Sequence, residues 1–311
     1  MNPGQPGILS IEPAENPMSQ RTTVDDRIHC GDFLTVAKSL GGRKFDVVIA
    51  DPPYNIGKDF GNDTDSRPLA NYLEWTDRWL AVCMEHLSDN GVIYVYGFPE
   101  ILAHVAVRYP LDRQRWLVWH YTNKTVPGSR FWQRSHESIL CLWNGRRPAL
   151  QIDQIREAYT DHYRKCIGKP RKETKCRYNK GGNGSVYNGH DKGALPRDVI
   201  KVPALAGGAG RSERWFMCRD CGNRVYPPQD LPAHDGHDVL KHPTQKPMEL
   251  TRRLLLSCVN GTGGSVLIPF SGSGSECVVA RSLGIGFLGC EINREYVDFA
   301  RKWLKRKSPP V

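Results

Sequence analysis

Short apolar runs that alternate with segments of helical periodicity constrain the fold of this chain more than any other feature. The runs FDVVIA (45–50), GVIYVY (91–96) and SVLIPF (265–270) are typical of buried strands, and segments of helix length lie between them. Two parallel strands need a crossover of that length, which explains the alternation. We therefore predict an α/β fold built on a parallel sheet.

The bounds of the elements follow from length and periodicity. Predicted strands span 27–32, 45–50, 91–96, 116–121, 138–143, 265–270 and 287–290. Predicted helices span 71–87, 247–259, 275–283 and a last segment with Tyr296, Phe299, Ala300 and Trp303 on one face. A loop with Gly and Pro joins 116–121 to 138–143, so these two strands are predicted to form an antiparallel pair at one edge of the sheet.

Composition divides the chain into segments. Residues 1–26 are rich in Pro, Gly, Asn and Ser, which predicts a flexible arm. Residues 151–239 are polar and nearly aperiodic, which predicts a recognition insert that adds nothing to the sheet. The catalytic domain would then consist of 27–150 and 240–308.

The balance of charge favours a polyanionic partner. Lys and Arg number 43 against 33 Asp and Glu, which gives a formal charge of +10. No apolar stretch reaches the ~20 residues that a membrane span needs, and the first twenty residues do not resemble a secretion signal. We expect no membrane association and a cytoplasmic location.

The motif Asp51-Pro52-Pro53-Tyr54 directly follows the apolar run 45–50. Open parallel sheets bind ligands beyond the carboxyl ends of their strands, which is where this motif would lie. Asp51 and the Pro52 carbonyl can each accept one hydrogen of an exocyclic amino group, while Tyr54 stacks on the ring that bears it. An ordinary strand-ending turn with a solvated Asp is the alternative interpretation.

A second motif, Phe270-Ser271-Gly272-Ser273-Gly274, closes the run 265–270 and opens a predicted helix. Glycines let the backbone approach a ligand, and Glu291 at the end of the next strand can accept both hydroxyls of a ribose. Cys277 stands where a dinucleotide-binding motif has its third glycine, so a nucleoside without a pyrophosphate fits better. A tight turn used only for packing is the alternative.

The order of the motifs resembles that of a known family. Asp-Pro-Pro-Tyr-Asn (51–55) is followed by His242-Pro243-Thr244-Gln245-Lys246-Pro247 and then by the Phe-Ser-Gly-Ser-Gly turn. This order is similar to that of the β class of N6-adenine/N4-cytosine DNA amino-methyltransferases. The resemblance implies a Rossmann-like S-adenosylmethionine methyltransferase sheet, a circularly permuted motif order and a central irregular target-recognition insert.

The resemblance also implies roles for single residues. The Phe270 to Gly274 turn would hold the methionine part of S-adenosylmethionine, and Glu291 would hold its ribose. Thr244 and Lys246 would help to close the same pocket, and Asp32 would lie near the cofactor adenine. Ile268 departs from the family, which usually has Asp two residues before the Phe of this turn. Either Asp51 or Glu276 would then meet the methionine ammonium.

The implied reaction is methyl transfer to the amino group of a base flipped out of double-stranded DNA. The two acceptors, Asp51 and Pro52, would favour a pyramidal nitrogen that points at the methyl group, and Asp51 would stabilise the charge that develops. We expect N6 of adenine as the target, because N4-cytosine members more often begin this motif with Ser. N4-cytosine, RNA or protein amide substrates, and a non-catalytic zinc-stabilised DNA-binding protein stay open, as do a homodimer and a cognate restriction endonuclease as partners.

The insert carries a basic run with interleaved tyrosines. Its members are Arg164, Lys165, Lys169, Arg171, Lys172, Lys175, Arg177 and Lys180. Such a run predicts phosphate contacts, which give salt-dependent affinity without reading sequence. A solvated charged face is the alternative.

One pair of cysteines in the insert has metal-ligand spacing. Cys218-Arg219-Asp220-Cys221-Gly222 places two thiols where they can share a zinc ion, although a simple turn with reduced thiols is also open. His234 and His237 follow, but prolines between 227 and 232 interrupt any helix. A standard two-Cys two-His finger is therefore not expected.

Overall fold

The structure, a computed structural model, describes residues 26–58, 65–124, 130–170, 186–206, 213–214, 216–225, 230–259 and 263–305. Its strands are β1 (Arg27–Cys30), β2 (Phe45–Ala50), β3 (Leu87–Gly97), β4 (Gln114–His120), β5 (His136–Leu142), β6 (Val199–Lys201), β7 (Phe216–Cys218), β8 (Arg224–Val225), β9 (Val239–Lys241), β10 (Ser265–Ile268) and β11 (Gly286–Glu291). Its α-helices are α1 (Phe33–Val36), α2 (Leu69–Glu85), α3 (Pro99–Ala106), α4 (Asp161–Cys166), α5 (Met248–Cys258), α6 (Ser275–Ser282) and α7 (Arg294–Leu304). Every strand and helix predicted from the sequence is present, with ends that differ by a few residues.

Eight strands form one mostly parallel sheet in the order β1-β11-β10-β2-β3-β5-β4-β6. All pairings from β1 to β3 are parallel, which confirms the predicted α/β class. Strand β5 is antiparallel to both of its neighbours, so the predicted antiparallel pair β4–β5 is also confirmed. The pair is not at the sheet edge, however, because β6 pairs with β4 in parallel and forms that edge.

Strand β6 shows that the prediction for the insert is wrong in one respect. It belongs to the segment 151–239, which was predicted to add nothing to the sheet. Strand β6 has only three residues, which is too short to show a periodic pattern in the sequence. Its place in the sheet is set by its pairing with β4. A hydrogen bond from the Trp119 indole to the Val202 carbonyl, at 2.8 Å, supports this pairing. The same segment supplies most of a second sheet, in the order β8-β7-β9.

Helices cover both faces of the large sheet. Along β2, Val47 and Ile49 pack into the cluster that includes α5, α6 and α7, whereas Val48 and Ala50 face the cluster with α1, α2 and α3. Alternate side chains of a strand point to opposite faces, so a strand buried on both faces is apolar throughout. Burial of each large apolar side chain contributes roughly 1.5–3 kcal/mol, which holds the strand ends in fixed positions.

Two further expectations can be compared with the described residues. Every cysteine among them is a free thiol. No helix in the described ranges is long and apolar enough to span a membrane.

Candidate active site

A pocket lies at the carboxyl ends of four adjacent parallel strands, β1, β11, β10 and β2. Asp32 follows β1, Asp51 follows β2, Phe270 follows β10 and Glu291 ends β11, and all four line the pocket. Residues of the loop 242–246, between β9 and α5, complete the wall. Strands that run in parallel end at the same edge, so motifs far apart in the chain meet here.

All but one of the catalytic and cofactor-binding residues predicted from the sequence line this pocket. The lining includes Asp32, Asp51, Pro52, Pro53, Tyr54, Thr244, Lys246, Phe270, Ser271, Gly272, Ser273 and Glu291. Gly274 does not line it. Its φ is +82°, and a Cβ there would lie 2.5 Å from the Cβ of Ala300, so this glycine permits α6 to start close against α7.

A buried cluster of charges forms the part of the pocket beside β2. Lys246 Nζ lies 2.9 Å from Asp51 Oδ2 and 3.6 Å from Glu137 Oε2. The Lys246 side chain is only 2% exposed. Burial raises the pKa of Asp51, although Lys246 acts in the opposite direction. Burial opposes the charged form of Lys246, but Asp51 and Glu137 outweigh it and raise its pKa.

The Tyr54 hydroxyl connects the two carboxylates of this cluster. Its oxygen lies 2.9 Å from Asp51 Oδ1 and 3.0 Å from Glu137 Oε2. A phenol has one proton, so it can donate fully to only one of the two acceptors at a time. The cluster therefore keeps acceptor capacity for a donor group on a ligand.

The ring of Tyr54 is more enclosed than the sequence suggested. The residue is 7% exposed, the Lys246 ammonium lies over its ring at 5.1 Å, and Phe98 packs against it edge-on at 5.2 Å. A base would have only the remaining exposed part of the ring to stack on. The stacking role of Tyr54 stays a prediction.

The loop after Tyr54 is held in place by Asp65, which is 1% exposed. Its carboxylate accepts hydrogen bonds from the backbone N–H groups of Asn55, Ile56 and Lys58 at 2.6, 3.3 and 2.7 Å. Asn55 has a φ of +59°, a conformation that Asn tolerates better than most residues. The loop is thus fixed next to the pocket.

The other end of the pocket has the groups expected of a nucleoside site. The Glu291 carboxylate accepts the backbone N–H groups of Gly272 and Asn293, each at 2.8 Å, and burial raises its pKa. The hydroxyl of Ser271 is buried and has no hydrogen-bond partner within the described ranges. A polar atom that is buried in this way is suited to a bond with a ligand.

Glu276 is a further buried acid of the pocket. It lines the pocket, is 4% exposed and receives a hydrogen bond from Ser275 at 2.9 Å. Burial, with a contribution from Asp51, raises its pKa to about 7. Both residues that the sequence offered as partners for an ammonium group therefore lie in the pocket.

Three further residues of the site had no role predicted from the sequence: Glu137, Asp65 and His242, which was quoted only as part of a motif. His242 packs against the glycine turn so closely that a Cβ on Gly272, where φ is +49°, would lie 2.5 Å from its Nε2. Burial lowers the pKa of His242 to about 3, so the ring is neutral near pH 7. Glu137 could have been predicted as a site residue, because it is an acid within the otherwise apolar strand β5. No local sequence pattern distinguishes Asp65 from a surface acid.

Part of the predicted DNA-binding run can be placed. Arg164 and Lys165 lie exposed on α4, and Lys169 is exposed shortly after it. The other predicted members, Arg171, Lys172, Lys175, Arg177 and Lys180, lie outside the described residues. Their contact with DNA stays a prediction.

The Cys218–Cys221 pair has more neighbours than the sequence suggested. One ligand atom from each of Cys218, Cys221, His234 and His237 lies within 4.8 Å of the others. Within the described part of 222–233 no α-helix links the histidines to the cysteines, and a 3-10 turn at Pro232–His234 brings both imidazoles to the thiols. The prolines argue against the helix of a standard zinc finger, but they do not prevent the two histidines from reaching the cysteines.

Comparison with known proteins gives one family for most of the chain. Residues 45–302 match the model of the N6/N4 methyltransferase family, described as DNA methylase. The type II methyltransferase M.HpaI of Haemophilus parainfluenzae is 27% identical over 286 residues, which cover 90% of this chain and 74% of that protein. The DNA adenine methyltransferase YhdJ of Escherichia coli K12 is 28% identical over 284 residues, 88% of this chain and 81% of that protein.

A solved structure shares the fold. The cytosine-N4-specific PvuII DNA methyltransferase superposes with a TM-score of 0.58 at 13% identity, over 88% of this chain and 84% of that one. At this identity the likeness concerns the fold alone.

Proposed function

The chain belongs to the N6/N4 DNA methylase family, and on that premise we propose that it methylates N6 of adenine in duplex DNA with S-adenosylmethionine as the methyl donor. The observation that carries the proposal is one continuous pocket with the Asp51–Lys246 pair at one end and Glu291 at the other. A non-catalytic DNA-binding protein would have no use for such a pocket.

The residues around the glycine turn suit the cofactor. Gly272 lets the backbone come close, the Ser271 hydroxyl offers a buried polar atom, and Glu291 can accept ribose hydroxyls with its remaining lone pairs. Asp51 and Glu276 supply negative charge for the ammonium of the methionine part. When bound, S-adenosylmethionine supplies an electrophilic methyl group.

The residues after β2 suit the target base. An exocyclic amino group of a base is a poor nucleophile, because its lone pair is delocalised into the ring. Asp51 and the Pro52 carbonyl accept the two amino hydrogens and orient the nitrogen for in-line attack. The nitrogen bonds to the methyl carbon as the methyl–sulfur bond breaks, and the largely buried Asp51 carboxylate stabilises the positive charge that develops on the nitrogen. The nitrogen then loses one of its two hydrogens as a proton to water, which leaves a neutral methylamino group.

Lys246 keeps Asp51 ready for this role. Burial alone would favour a protonated Asp51, which has lost an acceptor and cannot stabilise positive charge. The ammonium of Lys246 at 2.9 Å favours the carboxylate form. Lys246 is thus a positioning and charge-balancing residue at the target-base end.

The choice of adenine is supported by the first residue of the motif and by one relative. Asp51 begins the motif, as in the adenine-specific members that the sequence resembles. YhdJ is named an adenine methyltransferase, whereas the PvuII enzyme is cytosine-N4-specific. Both bases present an amino group to the same acceptors, so the product must be identified directly.

Identification of the modified nucleoside tests the choice of base. The protein is incubated with mixed-sequence duplex DNA and S-adenosylmethionine, and the DNA is digested and analysed by mass spectrometry. N6-methyldeoxyadenosine is the expected product. N4-methyldeoxycytidine would contradict the choice of base and keep the reaction type.

Exposed aromatic and basic residues near the pocket support contact with DNA. Phe131 and Trp132 are 82% and 86% exposed, and they precede Arg134, which stacks on Phe98 at 4.2 Å next to Tyr54. An aromatic ring can fill the space that a flipped base leaves in a duplex. Trp132→Ala should therefore reduce the fluorescence change of 2-aminopurine placed at the target position and leave cofactor affinity unchanged.

The relative M.HpaI is named a type II methyltransferase, which supports a pairing with a restriction endonuclease. Such a partner would cut the unmethylated form of the site that this chain methylates. DNA methylated by this chain should then resist one endonuclease that cuts the unmethylated control. Light scattering of the purified chain tests for a homodimer, which would have twice the mass of 35.1 kDa.

A further inference from the structure

The proposed reaction leaves unused a cluster of two cysteines and two histidines on the second sheet. Cys218 Sγ lies 3.3 Å from His237 Nδ1, and Cys221 Sγ lies 3.7 Å from His234 Nδ1. One donor atom from each of the four residues lies within 4.8 Å of the others. Within the described ranges, this is the one group of such residues with metal-site geometry.

These distances are close to those of a tetrahedral zinc site. Zn–S bonds of about 2.3 Å and Zn–N bonds of about 2.0–2.1 Å place neighbouring ligand atoms roughly 3.3–3.8 Å apart. Two thiolates with two imidazoles form one of the common ligand sets of structural zinc. A thiol–imidazole hydrogen bond would account for the short distance within each Cys–His pair. It would not account for the position of the two pairs, whose four ligand atoms all lie within 4.8 Å of one another.

The backbone around the cysteines also suits a metal ligand. The Cys221 N–H points at Cys218 Sγ at 3.5 Å, and the Gly222 N–H donates to the Cys218 carbonyl at 2.9 Å. Gly222 has a φ of +68°, which lets the chain turn back after the second cysteine. N–H groups directed at sulfur stabilise a thiolate, which is the form that binds metal.

The cluster is coupled to the pocket through β9. This strand pairs with β7, which ends at Cys218, and it continues directly into the loop 242–246. The second sheet is fastened to α7 as well, where the Arg219 guanidinium makes two hydrogen bonds to Glu295 at 2.9 and 3.0 Å. A link between the cysteines and the histidines would therefore fix the strand from which Lys246 is presented.

We propose that Cys218, Cys221, His234 and His237 bind one zinc ion, and that this ion holds β9 and the loop 242–246 in place. The metal site itself is independent of the proposed reaction. Its effect on cofactor binding rests on the proposed function.

Metal analysis of the full chain tests the site. Protein purified from zinc-supplemented culture and then dialysed should hold about one zinc per chain. Cys221→Ser and His237→Ala should lose most of it, and both residues are exposed, so these variants are expected to fold. Cys30→Ser and His104→Ala, which change an exposed thiol and an exposed imidazole elsewhere, should keep it.

Two results would overturn the site. One is wild-type protein without zinc, and the other is Cys221→Ser with a full complement of zinc and native circular dichroism. Substitution with Co²⁺ gives an independent readout, since thiolate ligation produces a charge-transfer absorption that should weaken in Cys221→Ser.

The role of the ion is tested separately by calorimetry with S-adenosylhomocysteine. Removal of zinc by a chelator should weaken binding at least tenfold, and added zinc should restore it. Unchanged affinity after removal would overturn the role and leave the metal site standing. Zinc-loaded wild-type protein that does not bind the ligand at all would count against the proposed function and not against the metal site.

Discussion

Lys246 Nζ lies 2.9 Å from Asp51 Oδ2, although 195 positions separate the two residues in the chain. The pair joins the turn after β2 to the loop before α5, and both side chains are largely buried. The two motifs that the sequence presented as separate thus form one electrostatic unit.

Removal of one partner of this pair should cost more than removal of both. Lys246→Met leaves two buried carboxylates without their counter-charge, which typically costs about 3–5 kcal/mol in the free energy of unfolding. The double variant Asp51→Asn/Lys246→Met should recover part of this loss and stay inactive. Urea denaturation at pH 8 measures both, and a double variant less stable than Lys246→Met would contradict the coupling.

The raised pKa of Glu276 predicts a pH-dependent effect on stability. The folded-state pKa of about 7 exceeds the ordinary value of 4.5, so the acid favours folding when protonated, and this stability is lost as the pH rises from 4.5 through 7. Glu276→Gln should therefore raise the melting temperature at pH 8 and change it little at pH 4.5. An equal effect at both pH values would show that burial of the charge is not the cause.

The same variant tests the role of Glu276 towards the cofactor. If its carboxylate meets the ammonium, Glu276→Gln should weaken binding of S-adenosylmethionine at pH 8 while it stabilises the unliganded protein. Calorimetry measures the affinity. Unchanged affinity would leave Asp51 as the partner of the ammonium.

Gly272 and Gly274 should respond differently to substitution by alanine. In Gly272→Ala the new methyl group meets the His242 ring beside the pocket, so cofactor affinity should fall at least tenfold. In Gly274→Ala it meets Ala300, and overpacking of this kind costs about 1–3 kcal/mol of stability. The double variant Gly274→Ala/Ala300→Gly removes that contact and should regain part of the stability. Loss of cofactor affinity in a Gly274→Ala variant of normal stability would contradict the assignment of Gly274 to the packing of α6 against α7.

Two variants of Tyr54 separate its hydroxyl from its ring. Tyr54→Phe removes the donor between Asp51 and Glu137 and keeps the ring, so it should lower kcat and preserve much of the base flipping. Tyr54→Ala should also reduce flipping, measured by 2-aminopurine fluorescence, more than it reduces cofactor affinity. Equal loss of cofactor affinity and flipping in Tyr54→Ala would contradict a role at the target base.

Local patterns in the sequence were sufficient to predict the parallel sheet and the place of its motifs. Asp51 and Glu291 could be placed because each stands at the end of an apolar strand, and such strand ends share one edge of the sheet. The sequence analysis predicted the same cofactor-binding role for Gly272 and Gly274. A sequence alone does not distinguish a glycine required for helix packing from one required for the approach of a ligand.

Other features depend on contacts that no local pattern encodes. Asp65 acts on backbone groups seven to ten positions earlier, and Glu137 meets Tyr54 only because β5 lies beside β3. Strand β6 has three residues and takes its register from β4. His234 reaches Cys221 through a turn with proline, a route that the spacing rule for helical fingers does not include.

The most direct test of the account is single-turnover transfer of a labelled methyl group from S-adenosylmethionine to mixed-sequence duplex DNA, by the wild-type chain and by Asp51→Ala. We predict label on the amino group of adenine with the wild type, and a rate at least a thousandfold lower with a folded Asp51→Ala that still binds DNA. Transfer by Asp51→Ala at the wild-type rate would contradict the assignment of this pocket as the active site.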